Sequence, residues 1–452
     1  MYMKIIIVGA GMIGATLIRN FIKEGHDVVL IDSIESAVTD SVNRFDINGF
    51  IGGATEKSVL LEAGANEADF LIACTSKDEV NILSCVLAKK LGAKHTIARV
   101  RDPRYFNELE DISEDLGLDL AFNPELQTAI EIERVVKFPS AKSVESFASG
   151  KASMVEFDIV KGNPIINKSI MEICREYGNK VLFAMVKRGD KVIIPKGDCV
   201  ILENDVIYVI GSEENITSFT KSLKIFKPKA KSAFIVGGGK IGYYLASALI
   251  KEGVDVKILE SSKARCEELS NELVSATILC ADGTDHSILE EEGIKASDVC
   301  VTLTGMDEEN VIISLFAKTK NVSKIVTKVD RLSVASMVRQ FGLDTLISPK
   351  TVVANQIVRF VRECSSTEGE GLNNLYLLAD KVEALEFTVK PTFEKLGVPL
   401  KQLKIKKNVL VGGIVRDGEF ILPSGDTTFN ALDRVILVSG EKQINELKDI
   451  LG

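Results

Sequence analysis

The chain has 452 residues, too many for one hydrophobic core, so about three or four domains are expected. Apolar residues make up 46% of it and charged residues 26%, which is typical of folded globular domains rather than disordered segments. The net charge of -9 disfavours nucleic acid or an anionic membrane surface as a partner, because binding either one needs a basic face.

Cysteine and histidine usage bounds the chemistry further. The eight cysteines include no C-x-x-C pair, so reduced thiols are expected rather than disulfides or metal ligands. The three histidines are far apart in sequence, which argues against a metal site. The N-terminus does not resemble a signal peptide, and no apolar run approaches the roughly 20 residues of a bilayer span. We therefore expect a soluble, cytosolic chain that does not insert into a membrane.

The first predicted elements are a strand, a glycine turn and a helix. Gly9, Gly11 and Gly14 form G-x-G-x-x-G, in which the glycines allow a tight turn, close approach of a pyrophosphate and close helix packing. The helix N-terminus would present free N–H groups to the anion. Asp32 lies 18 residues beyond Gly14, where its carboxylate can accept hydrogen bonds from ribose hydroxyls and would repel a 2′-phosphate. The pattern predicts NAD(H) or another adenosine nucleotide rather than NADP(H).

Strands and amphipathic helices alternate through the remainder of this segment, which predicts βαβ units and a parallel sheet. Alternation places Arg99 and Arg101 on one face of a strand, either as a phosphate-facing pair or as a surface salt-bridge pair. Asp78 and Asn81 follow the strand end at Thr75, and we interpret them as caps of the next helix rather than as catalytic groups.

A second kind of segment follows the predicted helix Pro124–Val136. It contains several short strands, a hairpin turn at Arg188-Gly189-Asp190 and one short helix near Ser169–Tyr177, which together predict a small α+β domain.

The same two-part pattern returns 228 to 229 residues later. Its counterparts of the glycine turn and the carboxylate are Gly237, Gly239, Gly242 and Glu260. The strand that carries Arg99 and Arg101 now carries Lys328 and Asp330, and Lys240 could partly replace the missing guanidinium. We therefore expect two sites with different nucleotide preferences. The sequence predicts four domains, at 1–138, 142–226, 230–364 and 372–452, with a polar linker at Ser365–Gly371.

The usual catalytic groups of nucleotide enzymes are missing from the sequence. None of the seven tyrosines has a lysine four residues later, and no histidine has an obvious orienting carboxylate. No phosphate loop of the G-x-x-x-x-G-K-[ST] type, G-x-S-x-G elbow or H-E-x-x-H motif occurs. We predict that the chain is not an enzyme and has no catalytic residue.

In combination, these features resemble the peripheral regulatory subunits of Trk-type bacterial and archaeal potassium uptake systems, which carry tandem RCK (KTN) and RCK-C domains. The resemblance covers essentially the whole chain through the GAGMIG and GGGKIG turns, the segments EAGANEADFLIACTSKDEVNIL and IARVRDPRY, and the repeated GD…D hairpins. It implies an α/β fold with two Rossmann-like parallel-sheet domains, each followed by a small α+β RCK-C domain.

The resemblance also implies nucleotide-binding residues. In the first copy these are Gly9, Ala10, Gly11, Met12, Ile13, Gly14, Asp32, Gly53, Thr75, Ser76 and Arg99. In the second copy they are Gly237, Gly239, Lys240, Ile241, Gly242, Glu260 and Asp282. The copies differ after the third strand, where the second keeps the Asp282-Gly283 typical of the family and the first has Gly52-Gly53-Ala54.

The implied function is nucleotide-dependent gating of a potassium-conducting membrane subunit, with NAD(H), and also ATP or ADP, as ligands. The chain would form a homo-oligomer, a dimer or tetrameric ring, at the inner face of the membrane through its partner. Pro124–Val136 and Pro349–Arg362 either carry subunit contacts or merely cover the sheets. Two other functions stay open: regulation of a cation efflux channel, where the same fold is reused, and an NAD-dependent oxidoreductase.

Overall fold

The computed structural model describes residues 2–331, 334, 337–338, 341–343, 345–365, 372–378, 382–440, 444 and 446–452. The chain divides into two compact units. The first unit comprises Met1–Glu133 and Lys231–Val361, and the second comprises Arg134–Ala230 and Arg362–Gly452. Apart from Ser365, the predicted linker Ser365–Gly371 lies outside the described residues.

The first Rossmann domain is a six-stranded parallel sheet of strand order β3-β2-β1-β4-β5-β6. Its strands are β1 (Lys4–Val8), β2 (Asp27–Asp32), β3 (Asn48–Ile51), β4 (Phe70–Ala73), β5 (His95–Arg99) and β6 (Leu120–Phe122). Its helices are α1 (Met12–Lys23), α2 (Glu35–Phe45), α3 (Lys57–Glu62), α4 (Asp78–Leu91), α5 (Pro103–Leu116) and α6 (Pro124–Lys137). The apolar runs of β1 and β4 are buried, as expected for the central strands of a parallel sheet covered on both faces.

The first accessory domain is a five-stranded antiparallel sheet of order β10-β9-β11-β8-β7 with two helices. Its strands are β7 (Val144–Phe147), β8 (Ala152–Asp158), β9 (Leu182–Arg188), β10 (Lys191–Ile193) and β11 (Val206–Gly211). Its helices are α7 (Ile170–Tyr177) and α8 (Glu213–Ser222). Ser169 caps α7 in a capping box with Glu172, and the two-residue turn after Arg188 closes the predicted hairpin.

The second Rossmann domain repeats the first, with order β14-β13-β12-β15-β16-β17. Its strands are β12 (Ser232–Val236), β13 (Asp255–Glu260), β14 (Ala276–Cys280), β15 (Val299–Thr302), β16 (Lys324–Lys328) and β17 (Leu346–Ile347). The helices whose bounds the structure gives are α9 (Lys240–Lys251), α10 (Lys263–Glu272), α11 (His286–Glu291), α12 (Asp307–Thr319) and α13 (Pro349–Ser365).

The second accessory domain has the order β18-β19-β22-β20-β21. Its strands are β18 (Leu372–Leu378), β19 (Val382–Thr388), β20 (Val409–Arg416), β21 (Glu419–Ile421) and β22 (Arg434–Ser439). Arg416 forms a two-point ion pair with Asp433 at 2.8 Å, as Arg188 does with Asp205 in the first accessory domain. The predicted fold class, with two parallel-sheet domains and two small α+β domains, is therefore confirmed.

Within the second unit, the two accessory domains share one hydrophobic cluster. Residues such as Phe147 and Met154 of the first domain pack with Ala384 and Ile436 of the second. Tyr376 adds a 2.8 Å hydrogen bond from its hydroxyl to the Ser146 carbonyl oxygen. Burying both sheet faces against each other gives each small domain more core than it could form alone.

Candidate nucleotide sites

The first glycine turn, Gly9–Gly14, connects β1 to α1 and has the backbone demands of a phosphate-binding turn. Gly9 has a φ of +107°, which favours glycine, and a Cβ there would lie 3.1 Å from the Thr75 amide nitrogen. A Cβ on Gly14 would lie 2.0 Å from the Gly9 carbonyl oxygen, so α1 can approach the turn this closely only without a side chain. These two positions require glycine for the fold itself.

Gly11 differs from the other two glycines of the turn. Its φ is -67°, which any residue can adopt, and a Cβ there would meet nothing within 4 Å. It is the N-cap of α1, where no side chain caps the helix, so the first turn keeps donors for an anion. Gly239 repeats this arrangement at α9, with a φ of -62° and open space at its Cβ position. The fold therefore does not require glycine at position 11 or 239. A ligand that approached the backbone closely at these positions would require it.

A carboxylate at the end of the second strand holds each glycine turn. Asp32 accepts hydrogen bonds from the Ala10 amide at 2.7 Å and the Ile34 amide at 2.9 Å. Glu260 accepts from the Gly238 and Ser262 amides, both at 2.8 Å. Each carboxylate oxygen keeps a further lone pair. These carboxylates can therefore shape the turn and still accept hydrogen bonds from ribose hydroxyls.

Arg99 supplies positive charge beside the first turn. It is the last residue of β5, and its NH1 donates to the Thr75 carbonyl oxygen at 3.3 Å. Its Nε atom is buried and has no hydrogen-bond partner among the described residues. Burial, followed by repulsion from Arg101, lowers the pKa of Arg99. An anionic group at this position would accept a hydrogen bond from the unpartnered Nε and would stabilise the buried positive charge of Arg99. The position therefore fits a nucleotide phosphate.

The two arginines that the sequence placed on one face have different partners. Arg101 lies just beyond β5, and its Nε donates to Glu125 at 2.7 Å. The salt-bridge alternative therefore applies to Arg101. Only Arg99 lies beside the glycine turn, where it could face a phosphate.

The helix-cap interpretation of Asp78 and Asn81 is wrong. Both lie inside α4, whose N-cap is Lys77, so neither precedes the helix as a cap must. Asp78 instead accepts the amides of Arg101 and Asp102, both at 2.8 Å.

Asn81 ties the ends of β4 and β5 together. Its Oδ1 accepts the Thr75 amide at 2.8 Å, and its Nδ2 donates to the Arg99 carbonyl oxygen at 2.9 Å. Sequence reasoning therefore missed a positioning role for Asn81. The available signal was its recurrence as Asn310, four residues into the matching helix.

The second site repeats these hydrogen bonds, with Lys328 in place of Arg99. Asn310 accepts the Thr304 amide at 2.8 Å and donates to the Lys328 carbonyl oxygen at 3.1 Å. Lys328 Nζ donates to the Thr304 carbonyl oxygen at 3.1 Å, as Arg99 does to Thr75, but it also pairs with Asp330 at 3.4 Å. The positive charge available to an anion is therefore smaller in the second site.

Lys240 does not take the place of the missing guanidinium in this structure. It begins α9, and its Nζ donates to the Arg101 carbonyl oxygen of the first Rossmann domain at 3.3 Å. Tyr244, one turn later, accepts a hydrogen bond at its hydroxyl from the Asn123 side-chain Nδ2 at 3.3 Å. The start of α9 therefore contacts the first Rossmann domain, and Lys328 occupies the position of Arg99.

The remaining predicted residues lie around the same strand ends. Gly53 follows Gly52, whose amide donates to the Asp32 carbonyl oxygen at 3.0 Å. Asp282 accepts hydrogen bonds from the Thr284 amide and hydroxyl, which lower its pKa. The other predicted positions are partly buried or exposed at the turns: Met12, Ile13, Ser76 and Ile241.

Comparison with known proteins identifies the domains. The TrkA-N domain model matches residues 5–124 and 233–349, and the TrkA-C domain model matches residues 154–224 and 384–452. The chain is similar in structure to the GsuK channel, with a TM-score of 0.65 and 18% identity, over 97% of this chain and 77% of that one. A structure described as the GsuK channel bound to NAD gives a TM-score of 0.63 at 18% identity, with the same coverage of both chains.

Relatives by sequence span the whole chain. The chain is 33% identical to the Trk system potassium uptake protein TrkA homolog of Archaeoglobus fulgidus, over 99% of this chain and 100% of that protein. It is 30% identical to the Trk system potassium uptake protein TrkA of Vibrio alginolyticus, over 96% of this chain and 95% of that protein. The chain therefore belongs to the TrkA family of Trk-system potassium uptake proteins.

Proposed function

We propose that this chain is a cytosolic regulatory subunit that senses adenosine nucleotides and gates a membrane potassium uptake channel or transporter. The observation that supports it most is the pair of duplicated turns whose middle glycines, Gly11 and Gly239, face open space that the fold does not need. Family membership supplies the link to potassium uptake. Family membership also supports a membrane partner through which the chain would act. Among the residues that the structure describes, no helix is long and apolar enough to cross a bilayer.

The proposed ligand of the first site is NAD(H). Asp32 would accept the ribose hydroxyls, the start of α1 would face the pyrophosphate, and Arg99 would hold a phosphate oxygen. The protein would recognise a bound dinucleotide through its adenosine and pyrophosphate groups. This binding requires no hydride transfer. The solved structure of the GsuK channel described as bound to NAD supports this choice.

The second site is proposed to take a different ligand, ADP or ATP. Lys328 shares its charge with Asp330, and Lys240 contacts Arg101 of the neighbouring domain. Glu260 would still bind the ribose. A solved GsuK structure described as bound to ADP, with a TM-score of 0.50 and 16% identity, supports ADP as a ligand of this fold.

Gating requires that a nucleotide bind one conformation of the assembly better than another. Couplings of about 1–3 kcal/mol per site are typical, and about 5.5 kcal/mol inverts a 99:1 equilibrium. Two sites per chain in a homo-oligomer, proposed as a dimer or tetrameric ring, would reach that sum. We assign no catalytic step to any residue.

The experiment is a potassium flux assay in vesicles that contain a Trk-type membrane subunit and this chain on the cytosolic side. We expect NADH, ATP and ADP to change the flux with the wild-type chain and to have no effect with the Asp32→Ala, Glu260→Ala double variant. Equal flux with and without each nucleotide would refute the proposal. A response only when a cation efflux channel replaces the uptake subunit would reassign the partner.

A further inference from the structure

Two cysteines lie against the backbone of Glu260 in the second Rossmann domain. The Cys266 thiol, in α10, donates a hydrogen bond to the Glu260 carbonyl oxygen at 3.3 Å. Cys280 ends β14 and is the register partner of Glu260 across the sheet. The same carbonyl oxygen accepts the amide of Ala281, directly after Cys280, at 3.0 Å. Both thiols therefore flank the residue whose carboxylate holds the second glycine turn.

The two thiols are also neighbours of each other, and they differ in exposure. Cys280 is exposed, whereas only 6% of Cys266 is accessible. Burial, and then its hydrogen bond with the Cys280 thiol, raise the pKa of Cys266 to about 11. A dissolved reagent therefore reaches Cys280 first, and Cys266 is in place to react second.

The fold does not require thiols at these two positions. In the first Rossmann domain, Val38 and Ile51 occupy the matching sites, and Ile51 is the register partner of Asp32 as Cys280 is of Glu260. Of the other Rossmann-domain cysteines, Cys74, Cys85 and Cys300 are buried, and Cys364, near the end of α13, is partly buried. The paired arrangement is thus peculiar to the second site.

The start of α10 contacts the second glycine turn directly. Arg265, the residue before Cys266, donates from its Nε to the Gly238 carbonyl oxygen at 2.9 Å. Glu260 accepts the Gly238 amide at 2.8 Å. Gly238 is therefore held on one side by a neighbour of Cys266 and on the other by the residue that both thiols flank.

We propose that Cys266 and Cys280 form a reversible thiol–disulfide site that weakens nucleotide binding at the second glycine turn when it is oxidised. The oxidant would be a low-molecular-weight disulfide. The Cys280 thiolate attacks one sulfur of that disulfide, which breaks its S–S bond and releases one thiolate. Cys266 then attacks the Cys280 sulfur and releases the second thiolate, and the two protein thiol protons end on the two released thiols.

The disulfide removes the Cys266 S–H donor from the Glu260 carbonyl oxygen and joins the start of α10 to the end of β14. Both changes act on the groups that hold Gly238. We expect nucleotide affinity at the second site to fall about ten-fold, within the range typical of coupled sites. This effect on affinity rests on the proposed nucleotide function, whereas the disulfide and the altered turn do not.

The test uses the full chain carrying Asp32→Ala, so that the second site dominates nucleotide binding. The reduced protein is treated with oxidised glutathione, and its disulfides are mapped by peptide mass spectrometry. Amide hydrogen exchange at Gly237–Gly242 and ADP affinity are measured before and after oxidation, and again after dithiothreitol. Matched controls carry the first-domain residues, as Cys266→Val and Cys280→Ile.

We expect a disulfide between Cys266 and Cys280, a changed exchange rate in the second glycine turn and about ten-fold weaker ADP binding, all reversed by dithiothreitol and absent from both controls. Failure to form this disulfide, or its formation without a change in exchange, would overturn the proposal. If the reduced chain binds no ADP, the nucleotide function fails, and the exchange measurement still decides whether the disulfide acts on the turn.

Discussion

The Asn81 side chain joins the Thr75 amide to the Arg99 carbonyl oxygen, through hydrogen bonds of 2.8 and 2.9 Å. Because Asn81 is fully buried, it acts as a fixed spacer between the ends of β4 and β5. The side-chain amide of Asn81 thereby positions both Arg99 and Thr75 beside the first glycine turn.

Removing that spacer should destabilise the first Rossmann domain. We expect Asn81→Ala to lower the free energy of unfolding by about 1–3 kcal/mol, because it leaves a buried amide and a carbonyl without partners. Urea denaturation followed by circular dichroism measures the change. The exposed Asn48→Ala variant is the control and should shift stability by less than about 0.5 kcal/mol. An Asn81→Ala protein as stable as this control would contradict the positioning role.

The Asp32 carboxylate should exclude a 2′-phosphate from the first site. We expect Asp32→Asn to raise the affinity for NADPH relative to NADH by about ten-fold, equivalent to about 1.4 kcal/mol, because it removes the negative charge and keeps an acceptor for the Ala10 amide. Fluorescence titration with both cofactors measures the ratio. Glu260→Gln is the matched variant in the second site and should leave the ratio at the first site unchanged. An unaltered ratio in Asp32→Asn would remove Asp32 from the ribose pocket.

Asp307 should make the second Rossmann domain acid-sensitive. Burial raises the pKa of Asp307, but the Asp330 and Arg331 amides together with the Arg331 guanidinium outweigh it and hold the pKa below its ordinary 3.8. A lowered folded pKa stabilises the protein above pH 3.8, and this contribution is lost as the pH falls through the lowered value.

We therefore expect Asp307→Asn to cost about 2 kcal/mol at pH 7, with the gap to the wild type narrowing below pH 3.8. Urea denaturation at several pH values measures it, with the exposed Asp111→Asn as control. A gap that stayed constant with pH would show that the ionised form of Asp307 contributes nothing.

Leu432 stores backbone strain in the second accessory domain. Its φ is +69°, and it is 74% exposed, so it makes little packing contact in return. The first accessory domain has Asn204 at this position, with a φ of +66°. We expect Leu432→Asn to stabilise the protein by about 1 kcal/mol, because asparagine tolerates this conformation better. Differential scanning calorimetry measures it. The exposed Val274→Asn should have almost no effect, and a gain of similar size there would attribute the effect to surface polarity rather than backbone strain.

The fold was predictable because the sequence repeats itself and because its periodicities differ between segments. The run KIIIV forms the buried strand β1, and Ser169 with Glu172 caps the predicted short helix. The glycine spacing indicated which glycines would face the fold and which would face open space.

Partners that are distant in sequence were not predictable from local patterns. Arg99 and Arg101 are two residues apart, yet only Glu125, 24 residues beyond Arg101, decides that Arg101 forms a salt bridge. The sequence pattern suggests that Asn81 caps its own helix. Its side chain instead bonds the Thr75 amide before that helix and the Arg99 carbonyl oxygen after it. The contact of Lys240 with Arg101 joins two domains and leaves no local signal.

The most direct measurement is isothermal titration of the full chain with NADH and ADP, using Gly11→Ala and Gly239→Ala. A Cβ at either position meets nothing in the protein, so both variants should fold, with a loss of about 1 kcal/mol at most because alanine is a poorer N-cap than glycine. We predict that Gly11→Ala abolishes NADH binding and that Gly239→Ala abolishes ADP binding. In each variant the added methyl group would occupy the space in which we propose that a phosphate group binds. Wild-type affinities in both variants, or no binding of either nucleotide to the unmodified chain, would contradict the account.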